Sequence, residues 1–312
     1  MQHKQPKFSG ILVVAVLMVL VLFFVSLSPL LAATGTKDTT YSEIYYYFEN
    51  QQVTSFRLDL GTGKVTEEEM EGVPHHMLDV VEPNQPYSVA DFQAGAYAAI
   101  DDILARGRTP FLVGGTGLYV RAVTEGFTFT DARPDPALRA ELEGKTTEEL
   151  YALLREKTGV TLTGGEENNR HRLMRSVEKA LSGRWESPPP CPRYDCLLLG
   201  VTFPREEVCR RIDARLQARI DAGMLDEVAE LRANGATDAF LEGLGLEYRY
   251  ILRYLTGQIP TLDGLKDELG RAIKRFAKRQ MVWFKKDRDV LWLDMEGDFL
   301  TQAVRAVEGF LA

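Results

Sequence analysis

The sequence predicts an α/β protein preceded by one membrane-spanning helix. Three observations carry that expectation. Short apolar runs, "TPFLV" at 109–113, "DCLLLGVTF" at 195–203 and "VLWLD" at 290–294, have the length and composition of buried strands. The segments between them are longer, and their charged and apolar residues separate on a helical repeat. Ahead of them, Ile11 to Leu31 is a run of 21 residues without a charge.

At 1.5 Å per helical residue, that run is long enough to cross a bilayer core of about 30 Å. Lys4 and Lys7 precede it and favour a cytoplasmic N-terminus, with the chain from residue 34 onward on the other side. A cleaved signal peptide, with Ala32-Ala33 following its apolar region, and a buried core helix are the alternatives. The expected organisation is an anchor over 1–33, a short extracytoplasmic-type segment over 34–62 and an α/β body over 63–312. After the anchor, "SEIYYYFEN" reads as a short helix and "VTSFRLDL" as an alternating strand. The stretch "TYSEIYYYFENQQVTSFRLDL" resembles the start of the membrane-anchored AAA+ zinc metalloproteases. No HExxH motif, ATPase module or second apolar span accompanies it.

The two pieces differ in charge. Lys4, Lys7, Lys37 and Arg57 balance Asp38, Glu43, Glu49 and Asp59, so the whole net charge of −8 falls in 63–312. An acidic body excludes a generally basic nucleic-acid binder but leaves room for a local basic patch. The three cysteines, Cys191, Cys196 and Cys209, form no CxxC pair and are too few for a disulfide framework. They read as ordinary thiols.

Within the body, Ser88 and Asp91 have capping-box spacing and open a helix through about Arg106. "DARPDPALRAELEG" reads as a proline loop followed by a helix, with further helices at about 147–157 and 168–182. "SPPPCP" breaks the chain near 187–192, and helices dominate from Arg205 to about Lys286.

Several motifs could carry chemistry. Gly61-Thr62-Gly63-Lys64 imitates a phosphate loop. A Walker A motif needs Gly at 58 and Ser or Thr at 65, where this chain has Leu58 and Val65. It reads as a surface turn. In "FLVGGTGLYVRA" a strand runs into Gly114-Gly115 and Thr116 at a helix start, a geometry that aims backbone N–H groups and a hydroxyl at an anion, or simply turns the chain. In "NNRHRLMRSVEKAL", Arg172 and Arg175 share a helical face beside Arg170 and His171. They could grip phosphates, or form a solvated face paired with Glu178. Arg211, Arg215 and Arg219 recur every four residues next to an apolar stripe, which ordinary amphipathicity accounts for. Lys266 to Asp289 holds nine basic and four acidic residues around Phe276, Trp283 and Phe284. Such a helix could meet a nucleic-acid backbone or be a charged solvated helix. Adjacent His75 and His76 point in different directions and suit a loop or core role better than a metal.

Taken in order, "GTGKVTEEEMEGVPHHMLDVVEPNQPYSVADF", "FLVGGTGLYVRAVTEG", "PDPALRAELE", "NNRHRLMRSVEKALSG", "RRIDARLQARIDAGMLDEV", "GLGLEYRYI" and "IKRFAKRQMVWFKKD" resemble the tRNA dimethylallyltransferases. The resemblance implies a P-loop NTPase-like parallel sheet and an all-helical tRNA-binding insertion over about 130–190. It implies a cytoplasmic monomer that takes the tRNA anticodon arm and dimethylallyl diphosphate, with Mg²⁺. The dimethylallyl group passes to N6 of adenosine 37, beside the anticodon. The resemblance places Thr116, Arg139, His171, Arg172 and Arg175 at tRNA-contacting positions and Arg215 at a diphosphate contact. Lys274, Lys278 and Arg279 are expected to meet tRNA as the basic face of the "IKRFAKRQ" helix. The family's opening strand, its Walker-A-like loop and its Asp-Ser pair have no counterpart here, so the first strands of the sheet are expected to be missing. The pyrophosphate cradle and the general base would go with them, which predicts a chain of little or no activity. The chain thus reads as a foreign membrane anchor, holding 11–31 in a bilayer, joined to a transferase-like body.

Overall fold

A computed structural model describes residues 67–85, 87–129, 135–161, 169–183 and 188–312, together with two strands at 11–16 and 52–55. Contacts divide the chain into two units: Glu125–Cys191, and the segments on either side of it.

The larger unit is built on a six-stranded, all-parallel sheet. Its strands are β1 (Ile11–Val16), β2 (Gln52–Ser55), β3 (His75–His76), β4 (Pro110–Val113), β5 (Asp195–Thr202) and β6 (Val290–Asp294), in the order β3-β2-β4-β1-β5-β6. Parallel strands are covered on both faces, which explains why "PFLV" and "CLLLGV" are continuously apolar rather than alternating. Leu112 packs with Phe92 and Ile100, whereas Phe111 packs with Val73, Val307 and Phe310, so successive residues of β4 serve opposite layers. Gly200 of β5 is required by its neighbour. A Cβ there would lie 2.8 Å from the Trp292 ring of β6.

Two expectations about the N-terminus are corrected. Ile11–Val16 is not the start of a membrane helix. It is a strand at an interior position of the sheet, paired with β5 from Ile11↔Asp195 to Val16↔Gly200 and with β4 at Val13↔Phe111. Nor are the first strands missing: β1 and β2 both precede residue 63. The physical reason is that an uncharged run rich in Ile and Val satisfies a doubly buried parallel strand as well as a bilayer helix. Among the described residues no helix is long and apolar enough to cross a membrane. Residues 17–51, which hold the rest of the predicted anchor and "SEIYYYFEN", lie outside the described residues, as do 56–66 with the GTGK turn.

The helices of this unit are α1 (Val89–Ala105), α2 (Gly117–Thr124), α6 (Arg205–Asp221), α7 (Met224–Ala233), α8 (Asp238–Leu244), α9 (Leu246–Leu255), α10 (Leu262–Phe284) and α11 (Phe299–Leu311). Ser88 and Asp91 form the expected capping box on α1, whose Phe92, Ala96, Ile100 and Ile103 make one buried face. Each large side chain on that face contributes about 1.5–3 kcal/mol by burial. A second core joins α6 to α10 through Leu216, Met224, Leu241, Ile251 and Leu265.

The smaller unit, among its described residues, comprises α3 (Pro136–Glu143), α4 (Thr147–Thr158) and α5 (Arg170–Leu181). Asp135, Thr146 and Asn169 cap their N-termini. Leu142, Leu150, Leu154, Leu173, Met174 and Val177 form its core.

Candidate functional site

In the larger unit, β4 ends at Val113 and the chain turns through Gly114-Gly115-Thr116 into α2. This is the carboxyl edge of a parallel sheet, where ligands of such folds gather. The Thr116 carbonyl accepts the N–H groups of Tyr119 (2.9 Å) and Val120 (3.1 Å), so Thr116 begins the helix while staying exposed. Two features lock the turn against α10. The buried Gln280 donates its Nε2 to the Gly115 carbonyl at 2.9 Å. A Cβ on Gly117 would come within 2.2 Å of the Trp283 ring, so only glycine lets α2 approach. Arg121 lies over that same ring at 5.3 Å. Beneath the turn, burial pushes the Tyr119 hydroxyl above its ordinary pKa, and Asp91 adds to the shift. Burial followed by Asp91 pushes Tyr87 up to about 12. Both phenols therefore stay protonated at neutral pH.

The basic residues of this unit divide by their partners. Arg211 bonds Glu207 at 2.5 Å and stacks on Phe203, and the buried Arg219 faces Glu247 at 3.6 Å. Arg215 is half-buried on the same helix. Lys274 pairs with Asp213 at 2.7 Å, which ties it to α6. Lys278 and Arg279 are exposed on α10, with the Arg279 guanidinium 5.7 Å from the Phe276 ring. Lys278 and Arg279 therefore belong to an exposed basic face of α10 that also holds Arg271 and Arg275, with Lys274 partly drawn inward.

In the smaller unit, Arg139 of α3 and Arg175 of α5 converge on one buried carboxylate, Glu178. Arg172 is exposed on α5. Arg170 instead caps α3: its guanidinium donates to the carbonyls of Lys145 and, at 2.7 Å, Glu143. The side chain of His171 lies outside the described residues. Lys179 has its pKa lowered by burial and by the Arg175 charge.

Sequence reasoning missed Gln280 and the part played by Glu178 toward Arg139. The signal for Gln280 was present. It sits midway between Phe276 and Phe284 on an apolar stripe, where a polar residue needs a reason. Among the described residues no group of three or more His, Cys, Asp and Glu side chains is placed to hold a metal ion.

Comparison with known proteins places these features in a lineage. A family model described as IPP transferase matches residues 56–287. A tRNA dimethylallyltransferase of Symbiobacterium thermophilum is 41% identical over 251 residues, spanning 77% of this chain and 78% of the relative. The crystal structure of the full-length tRNA isopentenylpyrophosphate transferase from Bacillus halodurans superposes with a TM-score of 0.64 at 30% identity, over 97% of this chain and 96% of that one. A eukaryotic dimethylallyltransferase acting on tRNA superposes with a TM-score of 0.71 over 96% of this chain and 79% of that one. At 20% identity it shows likeness of fold alone.

Proposed function

We propose, on the premise that the chain belongs to the IPP transferase family of enzymes, that its function by descent is tRNA dimethylallyl transfer. In that reaction N6 of adenosine 37 forms a bond to the dimethylallyl carbon, the carbon–oxygen bond to diphosphate breaks, and N6 gives up a proton. The chemistry needs a diphosphate cradle, a proton acceptor and a channel for an unstacked adenine. The observation that carries the reading is the Gly114-Gly115-Thr116 turn at the end of β4, held by Gln280. It presents an exposed Thr116 at the sheet edge where the family resemblance expects tRNA. Arg139, His171, Arg172 and Arg175 on one unit, and Lys278 and Arg279 on the other, supply the phosphate contacts of the anticodon arm. Lys274 joins them once it leaves Asp213, and Arg215 takes the diphosphate.

We further propose that this chain has little or no turnover. No Walker A sequence occurs in it, and no Asp-Ser pair stands where the family resemblance expects a general base. Losing even one such preorganised element commonly costs a factor of about 10² or more. What remains is a tRNA-binding protein. The test is to incubate the purified full chain with unmodified tRNA, dimethylallyl diphosphate and Mg²⁺, digest to nucleosides and analyse by mass spectrometry. No prenylated adenosine is expected, together with tRNA binding that weakens steeply with salt. Clear turnover would refute the inactivity. Absence of tRNA binding at low salt would refute the RNA reading itself.

A further inference from the structure

Phe276 is an aromatic ring where packing gives it little to do. It is 39% exposed, while every other Phe, Tyr and Trp among the described residues is at least partly buried. It belongs to none of the apolar clusters, although Ile273 before it and Met281, Trp283 and Phe284 after it all do. Isolated exposed apolar residues are common on proteins and need no explanation. Phe276 differs in its surroundings. The Arg279 guanidinium lies 5.7 Å from its ring centroid. Arg275 and Lys278, exposed beside it on α10, have no acidic partner among the described residues. The residue is also placed by its helix. Phe276, Gln280 and Trp283 are spaced four and three apart, so they fall on one stripe of α10. Gln280 bonds the Gly115 carbonyl, and the Trp283 ring fills the space that a Cβ on Gly117 would need. Phe276 is therefore one helical turn, about 6 Å along the axis, beyond the contact that holds the Thr116 turn.

We propose that Phe276, with Arg279 against it, is a stacking platform for an unpaired base of the anticodon loop. This rests on the tRNA-binding reading and deepens it. An aromatic ring and a guanidinium are the two side-chain groups on which unstacked RNA bases lie. Free cations on the same face attract the backbone that carries such a base, and no acidic side chain neutralises them. The chemistry of the reaction supplies the need. An adenine drawn out of its loop leaves neighbouring bases without a stacking partner, and that loss opposes binding. An aromatic surface near the Thr116 turn replaces the lost partner. Every base has a π-face, so the platform selects unpaired over paired RNA and not one base over another.

The experiment is fluorescence anisotropy with the full chain and two labelled probes over a series of salt concentrations. One probe is an unmodified anticodon stem-loop RNA, and the other is a blunt RNA duplex with the same number of phosphates. For Phe276→Ala we expect stem-loop affinity to fall by about 5–100-fold. The slope of log K against log salt should stay as in wild type, because no phosphate contact is lost. Affinity for the duplex should not change. Lys278→Gln should do the converse, lowering the slope by about 1 on both probes. Phe276→Leu keeps an apolar side chain and discards the π-face. It should weaken stem-loop binding much as alanine does, and it decides the matter should the alanine variant not fold. Phe276→Trp should bind the stem-loop at least as tightly as wild type. Wild-type affinity in the alanine or leucine variant, or an equal loss on the duplex, would overturn the platform while leaving RNA binding intact. Failure of the wild-type chain to bind either probe at low salt would overturn both.

Discussion

A single side-chain amide ties the Thr116 turn to the long helix behind it. Gln280 reaches the Gly115 carbonyl across 165 residues of sequence, at 2.9 Å and nearly out of solvent. Replacing it with Leu keeps the bulk and leaves that carbonyl with one partner fewer, which costs about 1–3 kcal/mol where the acceptor is buried. A urea titration of Gln280→Leu should show the midpoint falling accordingly, and an unmoved midpoint would show that the bond contributes nothing. Gly117 makes a second residue-scale prediction. Gly117→Ala sets a methyl carbon 2.2 Å from the Trp283 ring, so the indole must leave its place on α2. Overpacking of this kind costs about 1–3 kcal/mol, and the tryptophan emission should shift to the red as Trp283 meets water. The cysteines divide on the same local grounds. Burial, then the Asp195 charge, pushes the Cys196 thiol up to about 12, whereas Cys191 is exposed. Thiolate is the reactive form, so iodoacetamide at pH 8 followed by peptide mapping should label Cys191 and spare Cys196 in the folded chain.

The helix α6 shows how one element couples its start to pH. Glu207 sits in its first turn and accepts from Arg210 at 2.8 and 2.7 Å and from Arg211 at 2.5 Å. The Arg210 bond is the largest cause, with Arg211 adding to it, of a pKa lowered to about 2. The sign follows directly. The unfolded carboxyl titrates near its ordinary 4.5, so the native state binds fewer protons over that range. The stabilisation is fully present above pH 4.5 and is lost as pH falls toward 2. The difference in urea midpoint between wild type and Glu207→Gln should therefore be larger at pH 6 than at pH 3; a gap that stays constant would mean the ion pairs contribute nothing. Elements of this kind were largely legible in the sequence. The α1 capping box, the apolar β5 and β6 and the i,i+3 pairing of Arg175 with Glu178 all depend on short-range spacing. What could not be read is what spacing does not encode. Arg139 meets Glu178 across 39 residues, and Gln280 meets a backbone carbonyl from a remote strand end. Ile11–Val16 was misread for a different reason. Its side chains suit a lipid-facing helix and a covered parallel strand equally, and only the ladder partners Phe111 and Asp195–Gly200 decide between them.

For the molecule as a whole, that strand is the point on which stability turns. β1 separates β4 from β5, and six register pairs join it to β5 alone. At about 1 kcal/mol net per backbone hydrogen bond, losing its ladders would remove several kcal/mol. Typical domain stabilities are only about 5–15 kcal/mol. Removing residues 1–20 would also expose two strand edges in the middle of the sheet. Hydrogen exchange of the shortened chain should therefore show Phe111 and Leu197–Leu199 exchanging with solvent, and denaturant unfolding should lose cooperativity. The membrane-helix alternative predicts the reverse. If residues 11–31 form a separate anchor, removing 1–20 leaves the ladder amides of β4 and β5 as protected as before. Protection at Leu197, Leu198 and Leu199 is the deciding measurement, because these residues lie opposite Val13, Val14 and Ala15.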